Sequence, residues 1–320
     1  MKSRFAGAAS GTLDGLLAAV LFGLSAPLSK LLVADIDPVV LAGLLYLGAG
    51  ACLALLMAAL AASRRRRGEA RLERGDVPWL TAAVFVGGVA APLCLLVGLA
   101  RTPAATASLL LTFEAASTAG LAALFFRESV GRVTWVAVAL VTAGGVLLSI
   151  DPAGAWGLSS GALLVVAACV LWGLDNNLTR QISLRDPKAI VSIKGLGAGG
   201  FSLVLALALG RPFPTAGAAA AALALGAVSY GVSIALFVRS LRKLGAARTG
   251  ALFGTAPFLA AGVSLAIFRE PPSATTYAAF PLVLVAAWLL ARERHGPAHA
   301  HEAIVHAHRH AHAEHHAHAH

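Results

Sequence analysis

The sequence predicts an all-α membrane protein with ten transmembrane helices, arranged as two inverted five-helix repeats. Three observations carry this reading. The first is composition: 58% of the 320 residues are hydrophobic and only 12% are charged, against roughly 25% charged in a soluble domain. The second is an internal repeat. AATASLLLTFEAASTAGLAALFFRE (104–128) aligns without a gap with AARTGALFGTAPFLAAGVSLAIFRE (246–270), at an offset of 142 residues, and internal repeats in an apolar chain point to a transporter architecture. The third is the placement of the basic residues between the apolar runs.

A membrane-spanning helix needs about 20 mostly apolar residues. That measure gives spans at roughly 14–34, 39–62, 78–100, 104–126, 132–150, 158–180, 189–209, 218–240, 247–268 and 274–292. The runs are too long, and too far from period-2 alternation, for a β-barrel. Asp14 and the lack of a small-residue cleavage site argue against a signal peptide, so the first run is expected to remain as a helix. The connections are short, which makes neighbouring helices antiparallel and leaves no room for a soluble domain.

With the N-terminus in the cytoplasm, 20 of the 25 Lys and Arg residues fall on the inner side, including Arg64 to Arg67, Arg180, Arg185, Lys188, Arg242 and Lys243. Only Lys30, Arg101, Arg211 and Arg269 fall outside, and Lys194 lies within a span. This asymmetry sets both termini in the cytoplasm. Five helices per half is an odd number, so the second half enters the membrane upside down. Further matches agree: Leu21-Phe22-Gly23-Leu24 with Leu171-Trp172-Gly173-Leu174, Asp37-Pro38 with Asp186-Pro187, and Leu47-Gly48-Ala49-Gly50 with Leu196-Gly197-Ala198-Gly199. The expected organisation is a cytoplasmic N-terminus (1–13), a first repeat (14–150), a second repeat (158–292) and a cytoplasmic tail (293–320).

The net charge of +10 does not indicate nucleic acid, because the basic residues sit in short loop clusters and not along one face with interleaved aromatics. Cys52, Cys94 and Cys169 lie in apolar runs without metal-ligand spacing, and read as small buried hydrophobes.

Ten spans, two repeats and helices 4 and 9 that run into Arg-Glu, together with LWGLDNNLTRQISLRDP (171–187) and YGVSIALFVRSLRKLGAARTGALFGTAPF (230–258), resemble an EamA-type member of the drug/metabolite transporter superfamily. The resemblance covers about residues 12–292. It implies the fold and transport, and leaves the cargo open. The family commonly has proline in the middle of helix 4, as Pro257 stands in helix 9, whereas this chain has Glu114-Ala115 there.

Four residues are candidates for a substrate or coupling cavity: Glu114, Asp175, Asn176 and Lys194. Glu114 lies ten residues into helix 4, where an ionised carboxylate costs about 2.5–3.5 kcal/mol on insertion scales. It should face a cavity, find a partner or take up a proton, as a coupling carboxylate, a contact to a cationic substrate, or a neutral interhelical hydrogen-bonding group. Asp175 and Lys194 lie eleven residues before and eight after Asp186, so each is about 12–16 Å below the loop and the two can pair. Asp175-Asn176-Asn177 cannot all face one cavity, since consecutive helix positions point about 100° apart; Asn177 is expected to contact a neighbouring helix. Pro27, Pro92 and Pro257 each free a carbonyl inside a span. Trp172 and Tyr230 line a cavity or serve as packing. Glu128 and Glu270 read as helix caps beside Arg127 and Arg269.

All eleven histidines fall in 295–320, alternating with alanine. This tail lacks an apolar pattern and is expected to be disordered. His306, His308, His310 and His312 are its candidate ligands for a divalent metal. The functional expectation is an inner-membrane secondary carrier that exports a small metabolite or drug-like molecule by alternating access, with proton coupling as an open feature. The alternative is a metal-ion exporter whose tail collects the ion. No cofactor and no enzymatic constellation are expected; the partners are a small molecule, the lipid bilayer and, left open, a second copy of the chain.

Overall fold

The computed structural model describes residues 2–62, 70–125, 131–150, 158–182, 185–244, 252–269 and 271–292. Among these residues the secondary structure is helical, apart from two isolated β-bridges, Ala70 with Arg185 and Ile150 with Leu158. Eight helices are long and apolar enough to cross a membrane: α1 (Ser10–Leu32), α2 (Pro38–Leu60), α3 (Arg74–Ala100), α4 (Ala104–Phe125), α5 (Arg132–Ser149), α6 (Ser160–Arg180), α7 (Lys188–Ala208) and α8 (Ala216–Ser240). Two shorter apolar helices follow, α9 (Ala256–Phe268) and α10 (Ala274–Leu289). The sequence placed both as full spans; the helix of α10 continues to Arg292, 19 residues in all, while α9 has 13 residues and most of the start of its expected span lies outside the described residues. The His-rich tail, with His306, His308, His310 and His312, lies outside the described residues, as do Arg127, Glu128 and Glu270.

The surface is apolar and much of the polar content is internal. Leu55, Leu124, Phe125, Val204 and Leu207 are exposed, while Ser25, Ser108, Ser192, Ser229, Ser233 and Ser264 are buried. In lipid the hydrophobic effect no longer drives helices together, so close packing and polar contacts must do so. The α2–α7 pair shows the first. A side chain at Gly195 would place its Cβ 2.6 Å from the Gly50 Cα, so these backbones meet only because both positions are glycine. Ser192 Oγ, one turn away, donates to the Gly50 carbonyl at 3.1 Å.

Several helix contacts have a counterpart five helices on. Helix α1 packs on α8 as α6 packs on α3, and α2 on α8 as α7 on α3; α1 packs on α9 as α6 packs on α4. The pairs α2–α7, α4–α9 and α5–α10 are their own counterparts. Ser108 and Ser264 hydroxyls meet across α4–α9 at 3.4 Å. Charged contacts gather at the helix ends: Arg185 pairs with Glu73 and Asp76 at 2.7 and 2.8 Å, Lys243 with Asp14 at 2.7 Å, and Arg211 with Asp37 at 3.7 Å.

Helix α1 is interrupted at Leu24, and four further helices depart from regular α geometry in matching pairs. Helix α3 is π-helical over Val84–Ala90 and α8 over Gly226–Val232; these segments are separated by the 142 residues of the sequence repeat. Helix α4 breaks at Leu111-Thr112 and restarts at Phe113. Before α9 a turn at Gly254-Thr255 precedes the restart at Ala256, within one residue of the same offset. Thr112 and Thr255 each donate a hydroxyl to the carbonyl three residues back, Leu109 and Leu252, at 2.7 and 2.6 Å. Pro257, expected in mid-span, therefore sits in the first turn of α9, where a missing N–H costs nothing.

Candidate functional site

The helix breaks bring Glu114 into the first turn of a new helical segment, Phe113–Phe125. The Glu114 N–H donates to the Leu111 carbonyl at 3.2 Å, and the positive end of the helix dipole favours a carboxylate at such a position. Asn176 of α6 donates from Nδ2 to Glu114 Oε1 at 3.0 Å and to Thr118 Oγ1 at 3.1 Å. Glu114 Oε2 accepts from none of the described residues. Asn177, as its angular position requires, turns to the neighbouring helix and donates to the Thr118 carbonyl at 3.0 Å.

Asp175 and Lys194 form an ion pair. Lys194 Nζ lies 2.7 Å from both oxygens of Asp175 and 3.3 Å from Thr179 Oγ1, one turn further along α6. An ammonium has three donors, and all three are used. Asp175 is buried, so its charge requires such a partner.

The π-helical segment of α3 supplies the wall beside this pair. In π register the Ala91 N–H donates to the Val86 carbonyl. The next carbonyl, Gly87, would receive the N–H of residue 92, which is proline and has none. Two side chains take its place: Tyr46 Oη donates to the Gly87 oxygen at 2.8 Å and Trp172 Nε1 at 3.0 Å. Glycine is required here for a second reason, since a side chain at Gly87 would collide with the Asp175 carboxylate. Tyr46 then stacks toward Tyr230 of α8, ring centroids 6.1 Å apart, and Tyr230 meets Phe22 of α1 edge-on at 5.8 Å.

The structure thus brings all four candidate residues into one cluster, joined by Tyr46, Gly87, Thr118, Trp172, Thr179 and Tyr230. Asn176, which holds Glu114, directly follows Asp175 on α6. Sequence reasoning passed over Tyr46, Gly87, Thr118 and Thr179. The signal for Gly87 was present: Pro92 five residues later, preceded by the pair Gly87-Gly88. Among the described residues no group of three His, Cys, Asp or Glu side chains could hold a metal ion.

An apolar exterior, buried polar and charged side chains and eight described helices long and apolar enough to cross a membrane define a multi-pass helical membrane protein. The sequence profile of the EamA-like transporter family matches twice, at residues 9–150 and 159–292, and the chain belongs to that family. It is a membrane transporter. A protein named "uncharacterized transporter" from Methanothermobacter thermautotrophicus is 29% identical over 274 residues, covering 82% of this chain and 80% of its own. A solved crystal structure superposes with a TM-score of 0.61 at 21% identity, over 88% of this chain and 96% of the other; at that identity the likeness concerns the fold alone.

Proposed function

We propose that the protein is a secondary carrier of the cell inner membrane that exports a small organic molecule by alternating access, with protons coupled through Glu114. Its halves are residues 14–150 and 158–292, ten spans in inverted orientation, with both termini and the tail at 293–320 in the cytoplasm. The observation that carries this reading is the buried cluster of Glu114, Asp175, Asn176 and Lys194. Its members come from α4 of one half and from α6 and α7 of the other, so rotation of one half against the other must remake the contacts of Asn176 with Glu114 and Thr118. Inverted-repeat carriers hold their sites at such an interface, beside discontinuous helices.

The paired irregularities in α3 with α8, and in α4 with the approach to α9, support the same reading. Irregular backbone at membrane depth is tolerated where a cavity or neighbouring protein satisfies it. The test compares the metabolites released by cells overexpressing the protein with those of cells lacking it, followed by counterflow of each differing compound in proteoliposomes. At least one organic compound should be depleted from the overexpressing cells and exchange across the vesicle membrane. A compound set that is identical in both strains would overturn the export reading.

A further inference from the structure

The two repeats build the same frame and fill it differently. At an offset of 142 residues, Glu114 and Thr118 correspond to Ala256 and Ala260. At the offset of 150 set by Leu21-Phe22-Gly23-Leu24, Trp172, Asp175 and Asn176 correspond to Phe22, Ser25 and Ala26. At 149, Lys194 corresponds to Leu45. Contacts correspond as well. Trp172 of α6 reaches the π-helical segment of α3 at Gly87, and Phe22 of α1 reaches the π-helical segment of α8 at Tyr230. Asp175 lies against Gly87, while Ser25 is hydrogen-bonded to Tyr230. One half-site therefore carries every charge, and its counterpart carries aromatic rings, a serine, leucine and alanines.

The charges within the first half-site do not cancel. Glu114, Asp175 and Lys194 are the charged side chains of this cluster. Lys194 spends its three donors on Asp175 and Thr179, which leaves none for an incoming carboxylate or phosphate. Glu114 has no cationic partner among the described residues, and its Oε2 is open. Trp172, one turn before the Asn176 that holds Glu114, shares the Gly87 carbonyl with Tyr46, which stacks toward Tyr230, and the faces of aromatic rings attract an ammonium.

We propose that the site takes an organic monocation with an apolar or aromatic body, its ammonium held by Glu114 and its body laid across Tyr46 and Tyr230 toward Phe22. This assignment rests on the carrier reading for the location of the site and adds the chemistry of the cargo. Anions are rejected because Lys194 is already engaged. Neutral analogues bind more weakly because they offer Glu114 no charge to pair with, whether the carboxylate stays ionised or takes up a proton, and a polar group left unmatched in a desolvated site is what gives such sites their discrimination.

The test is binding to the purified full-length protein in detergent, by isothermal titration calorimetry, with three probes of similar size. These are benzyltrimethylammonium (a permanent cation), 3-phenylpropanoate (an anion) and N,N-dimethylbenzamide (neutral). The cation should bind saturably with one site per chain and at least about tenfold tighter than either analogue. Tetramethylammonium, which lacks the aromatic body, should bind about tenfold more weakly than benzyltrimethylammonium. Glu114→Gln should lose the preference for charge and keep the preference for the aromatic body. Tyr230→Leu should do the reverse.

Equal or tighter binding of the anion or the neutral probe, no saturable binding of the cation, or unchanged charge preference in Glu114→Gln overturns the assignment. If Glu114→Gln fails to elute as a single species, the wild-type panel decides alone. Binding in detergent does not require transport. Cation binding by a protein that moves no compound would refute the carrier reading and leave this assignment standing, whereas transport of another compound without cation binding would do the opposite.

Discussion

The indole Nε1 of Trp172 donates to the carbonyl of Gly87 at 3.0 Å, joining the second family-matched segment to the first. This hydrogen bond exists because of a local defect. Pro92 cannot donate, the π register commits the Ala91 N–H to Val86, and the Gly87 oxygen is left for side chains. Tyr46 takes the other lone pair. A missing backbone donor in α3 thus becomes a three-helix junction of α2, α3 and α6, beside the Asp175–Lys194 pair.

Trp172→Phe and Tyr46→Phe each keep a ring and remove one donor. Either change alone should lower stability only mildly, because the Gly87 carbonyl retains its second partner. The double variant strands a buried acceptor, which costs about 1–3 kcal/mol, so the two effects should exceed their sum. Thermal unfolding of the four proteins in detergent checks this; strictly additive losses would show that the carbonyl finds another donor.

The Asp175–Lys194 pair makes a contrasting prediction. Asp175→Asn or Lys194→Met alone leaves an uncompensated buried charge and should cost about 3–5 kcal/mol. Asp175→Asn with Lys194→Met together should recover most of that loss. Gly87→Ala should resemble the single variants, because its added methyl displaces the Asp175 carboxylate from Lys194. Folded yield and thermal stability are the readouts. A double variant as damaged as the worse single one would mean that the pair is held by its neighbours more than by its own attraction.

Glu114 is tested by function. Glu114→Gln keeps the shape and the Asn176 contact but cannot exchange a proton. The variant should insert normally and lose accumulation driven by a pH gradient. Counterflow, which needs no net proton movement, should continue at substrate concentrations that saturate the weakened site. Glu114→Ala also removes the hydrogen-bond acceptor and should impair both. Wild-type gradient-driven transport by Glu114→Gln across a broad pH range would end the coupling proposal.

Topology rests on the 20 basic residues against 4 on the two sides. Reporter fusions after Arg74 and after Arg294 should read cytoplasm, and one after Asp151 periplasm. A periplasmic reading at Arg294 would refute ten inverted spans.

The sequence by itself determined the membrane class, the two repeats, and the positions of Glu114, Asp175 and Lys194 along their apolar runs. Those properties are one-dimensional: apolar run length, residue spacing and charge placement along a helix of fixed rise. Only the tertiary structure decided which faces meet. The turn that starts a new helix at Phe113 carries no proline, and its backbone is satisfied locally by Thr112. The use of the Gly87 oxygen depends on donors 41 and 85 residues away in the chain. Tyr46 and Thr118 look like ordinary span residues until α2 and α6 are packed against α3 and α4. Periodicity reports where a helix runs in the membrane, but the hydrogen bonds that a broken helix offers are claimed by its neighbours, and those are fixed by packing.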